Sequence, residues 1–374
     1  MRAMDGGAGK QKPRTLFFLT LLAFIFTVAL TFATLEIPRI LAILFFEAGW
    51  IPDVNPFWDP EAVEAIMKTT RPIGYACLAI VVILIIAGFI TKHKKLSSLG
   101  ALFVFLPTFG YFAGSMFFLA GLGILRIAWI PFWEIGLVDL GDIVYLPYMA
   151  ITYLLALLGL DISAPIIHVP GPGLINIDIR WLLAFVINGV GLLIFFLGTM
   201  AWVYGKFERK ETVTFWIYKY SRHPQYLGYI IWSYGVMLQS SLAPFSWGGE
   251  NLGVSLPWLI STLIVVCIAL TEEVAMIQSD REVYLSYKNS APFMFPLPKS
   301  LASLATAPIR ILFKKNQPEN RKEIIGTFAV YCLIFILLSL PFIISDWIPG
   351  QMIGVWPYNV WPFINPGPSP LPPR

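Results

Sequence analysis

The residues best suited to chemistry in this chain are a cationic string and a carboxylate pair, each beside an apolar run. The string Arg222–Pro224, which reads Arg-His-Pro, opens the run 226–243. The pair Glu272-Glu273 closes the run 256–271. Charged side chains are costly to place at the mouth of a membrane helix, so their presence there indicates a functional site.

These side chains predict recognition of a zwitterion. Arg222 and His223 can donate hydrogen bonds to an anion, and a helix that begins at Pro224 adds the favourable field of its N-terminus. Glu272 and Glu273 can accept hydrogen bonds from an ammonium group or from sugar hydroxyls. S-adenosylmethionine combines a carboxylate, an ammonium group and a ribose, so it fits this set of groups. Phosphate-bearing nicotinamide cofactors would also use the arginine, but they have less use for adjacent carboxylates.

The elements that position the two charged groups are the apolar runs themselves. If both runs cross a membrane, the turn near 244–255 makes them a hairpin. The start of 226–243 and the end of 256–271 then lie together on one face of the membrane. This geometric expectation depends only on the order of the segments.

Composition places the chain in the membrane class. Hydrophobic residues make up 57% of the 374 residues and charged residues 13%, against about 25% in soluble domains. The runs do not alternate apolar and polar residues, so they predict helices. We therefore predict an all-α polytopic integral membrane protein with seven to eight hydrophobic segments. The candidate segments are 16–35, 72–91, 99–121, 143–160, 181–204, 226–243, 256–271 and 324–345.

Lysine and arginine in the short loops predict the orientation. The basic residues before 16–35 place the N-terminus in the cytoplasm, and the basic loops that follow place the charged cluster there too. Because the run 181–204 must then start outside, either 143–160 is interfacial or re-entrant, which we favour, or 99–133 crosses the membrane twice. The Pro-rich tail 346–374 is predicted to be extended and outside.

The Pro-Gly loop within 161–180 predicts a division of the chain. Residues 1–180 would form an N-terminal transmembrane bundle of unknown role. Residues 181–298 would form a cofactor-binding core, with 278–298 as its cover. Residues 299–374 would contain a basic cytoplasmic linker, the last span and the tail.

Several kinds of site and partner are not indicated. The three cysteines each lie alone in an apolar run and the three histidines are scattered, so we predict neither disulfides nor a metal site. The basic residues lie in loops beside spans, where membrane topology accounts for them, so we expect no nucleic-acid partner. The expected partners are the lipid bilayer and a membrane-borne substrate, and the oligomeric state is open.

The string Arg-His-Pro-x-Tyr-x-Gly at 222–228, followed by Glu272-Glu273, resembles the membrane-embedded methyltransferases. That family includes isoprenylcysteine carboxyl methyltransferases and phospholipid N-methyltransferases, which use S-adenosylmethionine. Tyr284 and Tyr287 match a Tyr-x-x-Tyr element of the family. The resemblance covers roughly 181–298, and Trp216 and Asp280-Arg281 depart from the family pattern.

The resemblance implies methyl transfer from S-adenosylmethionine to a lipid-like or prenylated acceptor at the cytoplasmic rim of the bilayer. It implies catalytic roles for Arg222 and Glu272. The cofactor-binding residues that it implies are Tyr220, Arg222, His223, Tyr226, Leu227, Gly228, Glu272 and Glu273.

Two other functions remain open from the sequence. Membrane NADPH-dependent reductases of sterol-type double bonds carry a related string, usually with Asn where Gln225 stands, but do not need the carboxylate pair. A transporter or non-catalytic scaffold is the third option. Transporters tend to show paired repeats and polar breaks at mid-membrane, whereas here the charged cluster lies at one rim.

Overall fold

The computed structural model describes residues 13–47, scattered positions between 72 and 83, 138–169 except 163 and 165, 175–242 except 209 and 211, 255–279, and 281–344. The predicted span 99–121 and the tail 346–374 lie outside the described residues. The predicted span 72–91 is described only at scattered positions.

The described residues form nine α-helices, two 3₁₀ helices and one hairpin. The helices are α1 Pro13–Glu47, α2 Leu146–Leu157, α3 Ile179–Phe207, α4 Pro224–Leu242, α5 Ser255–Ser279, α6 Arg281–Ser290, α7 Lys299–Ala305, α8 Ala307–Phe313 and α9 Arg321–Ile344. The 3₁₀ helices are Val138–Tyr145 and Trp216–Lys219. The predicted helical architecture is therefore confirmed.

The hairpin was not predicted, because the sequence indicated only turns in 161–180. Strand β1 (Ile167–Val169) pairs antiparallel with β2 (Ile175–Ile177), with Ile167 opposite Ile177. Both strands have β-branched residues at alternate positions, a pattern that favours short strands on either side of a turn.

Five helical segments in the described part are long and apolar enough to cross a membrane, which fits a multi-pass membrane protein. They are Arg14–Ala33, Leu140–Leu157, Ile179–Phe207, Trp258–Gln278 and Arg321–Pro341. The segment expected to be interfacial, 143–160, overlaps the second of these. The prediction of seven to eight segments is not confirmed by this set.

Helix α4 differs from the expectation for 226–243, since it is not among these five. Its Gln, Ser and Tyr side chains lower its hydropathy. Several of its large side chains are buried against neighbouring helices, among them Tyr226, Tyr229 and Trp232. A helix sheltered by others can carry polar residues that a lipid-facing helix cannot.

Helices α3 and α4 pack with their backbones in close contact. A Cβ atom on Gly191 would lie 2.3 Å from the Trp232 nitrogen, and one on Gly228 would lie 2.4 Å from the Phe195 nitrogen. Small residues permit this approach in membrane bundles. These contacts fix the position of α4, and with it the position of the Arg-His-Pro string at its start.

The 3₁₀ helix Val138–Tyr145 ties α5 to α9. Its Asp142 carboxylate accepts a hydrogen bond from the Ser255 hydroxyl at 2.6 Å, and its Ile143 nitrogen donates to the Ser339 hydroxyl at 3.3 Å. Val144 and Tyr148 belong to the same apolar core as α4.

The division of the chain at 180 stays a prediction.

Candidate functional site

The two residues before α4 meet Glu273 of α5 in a buried contact. Arg222 Nε donates to Glu273 Oε1 at 2.7 Å, and His223 Nε2 lies 3.2 Å from the same oxygen. Arg222 is 6% exposed and Glu273 is 2% exposed. The two charged groups thus lie together, as the sequence predicted.

The carboxylate pair does not lie at the end of its helix, as the apolar run suggested. Helix α5 continues to Ser279, about one and a half turns beyond Glu273. The run of apolar residues ended at the first charged residue, but a charged residue does not end a helix, and a buried one is accommodated when it has partners. Glu273 finds them in Arg222 and His223.

Arg222 also holds the segment that covers the cluster. Its Nη1 donates to the carbonyl oxygens of Lys288 and Ala291, both at 2.8 Å, and its backbone nitrogen donates to Pro292 O at 2.9 Å. The last carbonyls of a helix lack helical partners, so a guanidinium is well suited to cap α6. The Phe293 ring lies 5.7 Å from the guanidinium carbon.

Two tyrosines of this cover, Tyr284 and Tyr287, pack with Tyr218 of the 3₁₀ helix Trp216–Lys219. Tyr287 donates its hydroxyl hydrogen to Tyr218 O at 2.8 Å. Tyr284 is 2% exposed. Burial is the main cause that raises the pKa of Tyr218, Tyr284 and Tyr287 above the usual value, so all three hydroxyls stay protonated at neutral pH.

Three buried polar atoms of the cluster lack hydrogen-bond partners among the described residues. They are Arg222 Nη2, Glu273 Oε2 and the Tyr284 hydroxyl, and this hydroxyl lies close enough to the Glu273 side chain to interact with it. Buried polar groups are normally satisfied, so such a group points to a ligand. A guanidinium nitrogen calls for an acceptor such as a carboxylate, and a carboxylate oxygen calls for a donor such as an ammonium group. The residues present therefore fit the amino-acid part of S-adenosylmethionine.

Glu272 has a different environment from its neighbour. Its side chain is 36% exposed, and its Oε1 accepts a hydrogen bond from the Tyr226 hydroxyl at 2.6 Å. Its Oε2 lies 3.9 Å from His223 Nδ1. Successive residues of a helix point about 100° apart, so one carboxylate faces Arg222 and the other lies at the edge of the cluster.

The remaining predicted site residues lie away from these polar contacts. Tyr220 is 68% exposed, on the turn after the 3₁₀ helix Trp216–Lys219. Leu227 is buried in the apolar core, and Gly228 presses against the backbone of α3. The polar contacts join Arg222, His223, Tyr226, Glu272 and Glu273.

Sequence reasoning did not assign Tyr284 or the backbone acceptors of Arg222 to the site. Tyr284 could have been included, because the spacing Tyr-x-x-Tyr places both rings on one face of α6. The carbonyls of Lys288, Ala291 and Pro292 gave no signal, because every residue has a carbonyl.

Residues 182–279 match the family model described as PEMT: Phospholipid methyltransferase. The match confirms the resemblance suggested by the Arg-His-Pro string and the carboxylate pair. The matched segment runs from the start of α3 to the end of α5 and leaves out α6 and α9. No curated protein and no solved structure gives a significant match to the chain.

Proposed function

We propose that this chain is an integral membrane methyltransferase that uses S-adenosylmethionine and acts on a lipid-like or prenylated acceptor at the cytoplasmic rim of the bilayer. One observation carries the proposal. The segment that matches the phospholipid methyltransferase model contains a buried Arg222–Glu273 pair, and each of the two side chains has an unpartnered polar atom.

The residues that would hold the cofactor follow from these atoms. Arg222 Nη2 would receive its carboxylate and Glu273 Oε2 its ammonium group, with the Tyr284 hydroxyl beside Glu273. His223 Nε2 lies 3.2 Å from the other oxygen of Glu273, Oε1, and helps to orient the carboxylate. When bound, S-adenosylmethionine supplies a methyl group that is already activated by its sulfonium, so the protein needs to align and desolvate the reactants.

Glu272 is the residue that we assign to the acceptor. It lies at the edge of the cluster and is partly exposed, and the Tyr226 hydroxyl holds its orientation. A carboxylate at this place can orient a donor head group and can accept a proton if the acceptor is an amine.

Arg222 positions the cover, because it binds the carbonyls at the end of α6.

Calorimetry on the detergent-purified full chain tests the function. We expect S-adenosylmethionine to bind with a dissociation constant on the order of micromolar, which corresponds to a binding free energy of about −8 kcal/mol. We expect NADPH not to bind. Binding of NADPH alone would instead support a membrane reductase. Binding of neither would favour a transporter or scaffold and contradict the proposal.

A further inference from the structure

A groove between α5 and α9 opens beside the polar cluster. Its volume is about 490 Å³, within the range of about 300–1,000 Å³ that is typical of ligand sites. Helix α5 contributes Ile264, Ile268 and Ala275, and α9 contributes Ile324, Ile325 and Phe328. The walls are almost wholly apolar, so the groove suits a hydrocarbon chain.

The length of the groove fits one leaflet of a bilayer. Its lining on α5 extends from Ile264 to Ala275, which corresponds to about 16 Å of helix. The hydrocarbon core of a bilayer is about 30 Å thick, so one lipid chain reaches about half that distance. A single chain could therefore lie along the groove without leaving its leaflet.

Glu272 belongs both to the groove and to the polar cluster. It lines the groove near Ala275, and its carboxylate is within reach of Tyr226 and His223. The groove thus leads to the place where the proposed reaction would occur. An anionic head would meet like charge at Glu272, whereas a primary ammonium head would donate hydrogen bonds to it.

We propose that this groove holds a hydrocarbon chain of the acceptor lipid, with an amine head at Glu272, and that α9 forms one wall of the site for that chain. The inference rests on the proposed methyl transfer. Helix α9 lies beyond the segment that matches the family model, so this wall belongs to the additional part of the chain.

Protection of an engineered thiol tests occupancy of the groove. In a variant with Cys77, Cys267 and Cys332 replaced by serine, Ala275→Cys places a thiol in the groove. Met276→Cys is the matched control, because Met276 is the next residue on α5, is 40% exposed and does not line the groove. Alkylation by N-ethylmaleimide is followed by mass spectrometry on full-length protein in lipid nanodiscs.

The discs contain either phosphatidylcholine alone or phosphatidylcholine with chain-matched phosphatidylethanolamine. We expect the ethanolamine lipid to slow alkylation of Ala275→Cys about tenfold once it is about tenfold above its dissociation constant. Met276→Cys should react at the same rate in both discs. Equal rates for Ala275→Cys in the two discs would overturn the proposal, since the groove would then hold any bilayer lipid.

The role of α9 is tested by filling the groove from its side. Ile325→Trp adds bulk to the groove, and Ile325 is 68% exposed, so the change should not disturb the core. Leu333→Trp is the control, because Leu333 is an exposed residue of α9 outside the groove. We expect Ile325→Trp to abolish protection of Ala275→Cys and Leu333→Trp to preserve it. Full protection with Ile325→Trp would overturn the role of α9.

Calorimetry with S-adenosylmethionine on the same discs separates this proposal from the function on which it rests. Cofactor binding without lipid protection would overturn the groove and leave methyl transfer standing. Lipid protection without cofactor binding would overturn the assignment of the lipid as a methyl acceptor.

Discussion

Arg222 and Glu273 meet through a 2.7 Å hydrogen bond from Nε to Oε1, although 51 positions separate them in the chain. A buried ion pair offsets its desolvation only when the other polar atoms of both groups are also satisfied. Here Nη1 has two carbonyl partners, while Nη2 and Oε2 have none among the described residues. This arrangement suits ligand binding better than it suits stability.

The first prediction is that S-adenosylmethionine stabilises the protein by satisfying these atoms. At about one hundred times its dissociation constant, the ligand should add about 2.7 kcal/mol to the free energy of unfolding. The thermal midpoint in detergent, followed by tryptophan fluorescence, should rise accordingly. Glu273→Gln should remove this rise, and Glu282→Gln, an exposed change on α6, should keep it. An equal rise in both variants would exclude Glu273 from the site.

The second prediction concerns the hydroxyl that orients Glu272. Tyr226→Phe removes a 2.6 Å hydrogen bond to a carboxylate, which is worth about 1.5–3 kcal/mol. If Glu272 serves the acceptor, methyl incorporation into lipid should fall by about tenfold to a hundredfold. The affinity for S-adenosylmethionine should stay nearly constant. Tyr153→Phe, which removes an exposed hydroxyl on α2, is the control and should change neither quantity.

Loss of cofactor affinity in Tyr226→Phe would lead to a different assignment. Tyr226 and Glu272 would then belong to the cofactor, as the family resemblance implied. Both measurements are made on the same preparation, with radiolabelled S-adenosylmethionine as the methyl donor and binding partner.

The third prediction concerns the contact between α3 and α4. Gly191→Ala places a Cβ atom 2.3 Å from the Trp232 nitrogen, so the helices must separate. Overpacking of this kind costs about 1–3 kcal/mol, and the thermal midpoint should fall. Gly189→Ala is the matched control, because a Cβ there meets nothing within 4 Å. Since alanine favours a helix over glycine, Gly189→Ala should leave the midpoint unchanged or raise it. Equal effects of the two changes would contradict the close packing.

The fourth prediction concerns alkaline pH. Burial raises the pKa of Tyr284 and Tyr287 above the usual value of 10.0. Below pH 10 both hydroxyls are protonated in the folded and the unfolded chain. Above it the unfolded chain releases these protons while the folded chain keeps them, so stability falls as pH rises. The thermal midpoint should decline above about pH 10, and less steeply in Tyr284→Phe. An unchanged slope in that variant would mean that the Tyr284 hydroxyl is accessible to water.

The sequence could predict that the charged groups meet, because that depends only on two neighbouring segments and the turn between them. The sequence could not predict that other helices surround α4. The run 226–243 is apolar enough to suggest a span, but its Tyr and Gln side chains are tolerated because other helices surround it. Packing against helices that are distant in the chain leaves no pattern in the local sequence.

Only some of the predicted site residues lie in the polar cluster, and the reason is related. A string motif names consecutive residues, whereas a helix turns successive side chains about 100° apart. Tyr226 faces the polar cluster, while Leu227 enters the apolar core and Gly228 faces α3. The same rotation separates Glu272 from Glu273. Helical periodicity applied to the motif could have predicted these differences.

The glycine contacts between α3 and α4 limit where the chain can gain or lose residues. Gly191 lies against Trp232 and Gly198 lies against Gln225, so seven residues forward on α3 correspond to seven residues back on α4. One residue inserted between the two glycines would turn everything beyond it by about 100° and bring a larger side chain to the contact. Seven inserted residues would nearly restore the face. Related chains should therefore vary in length in the connection around 208–215, while the distance between these glycines stays fixed.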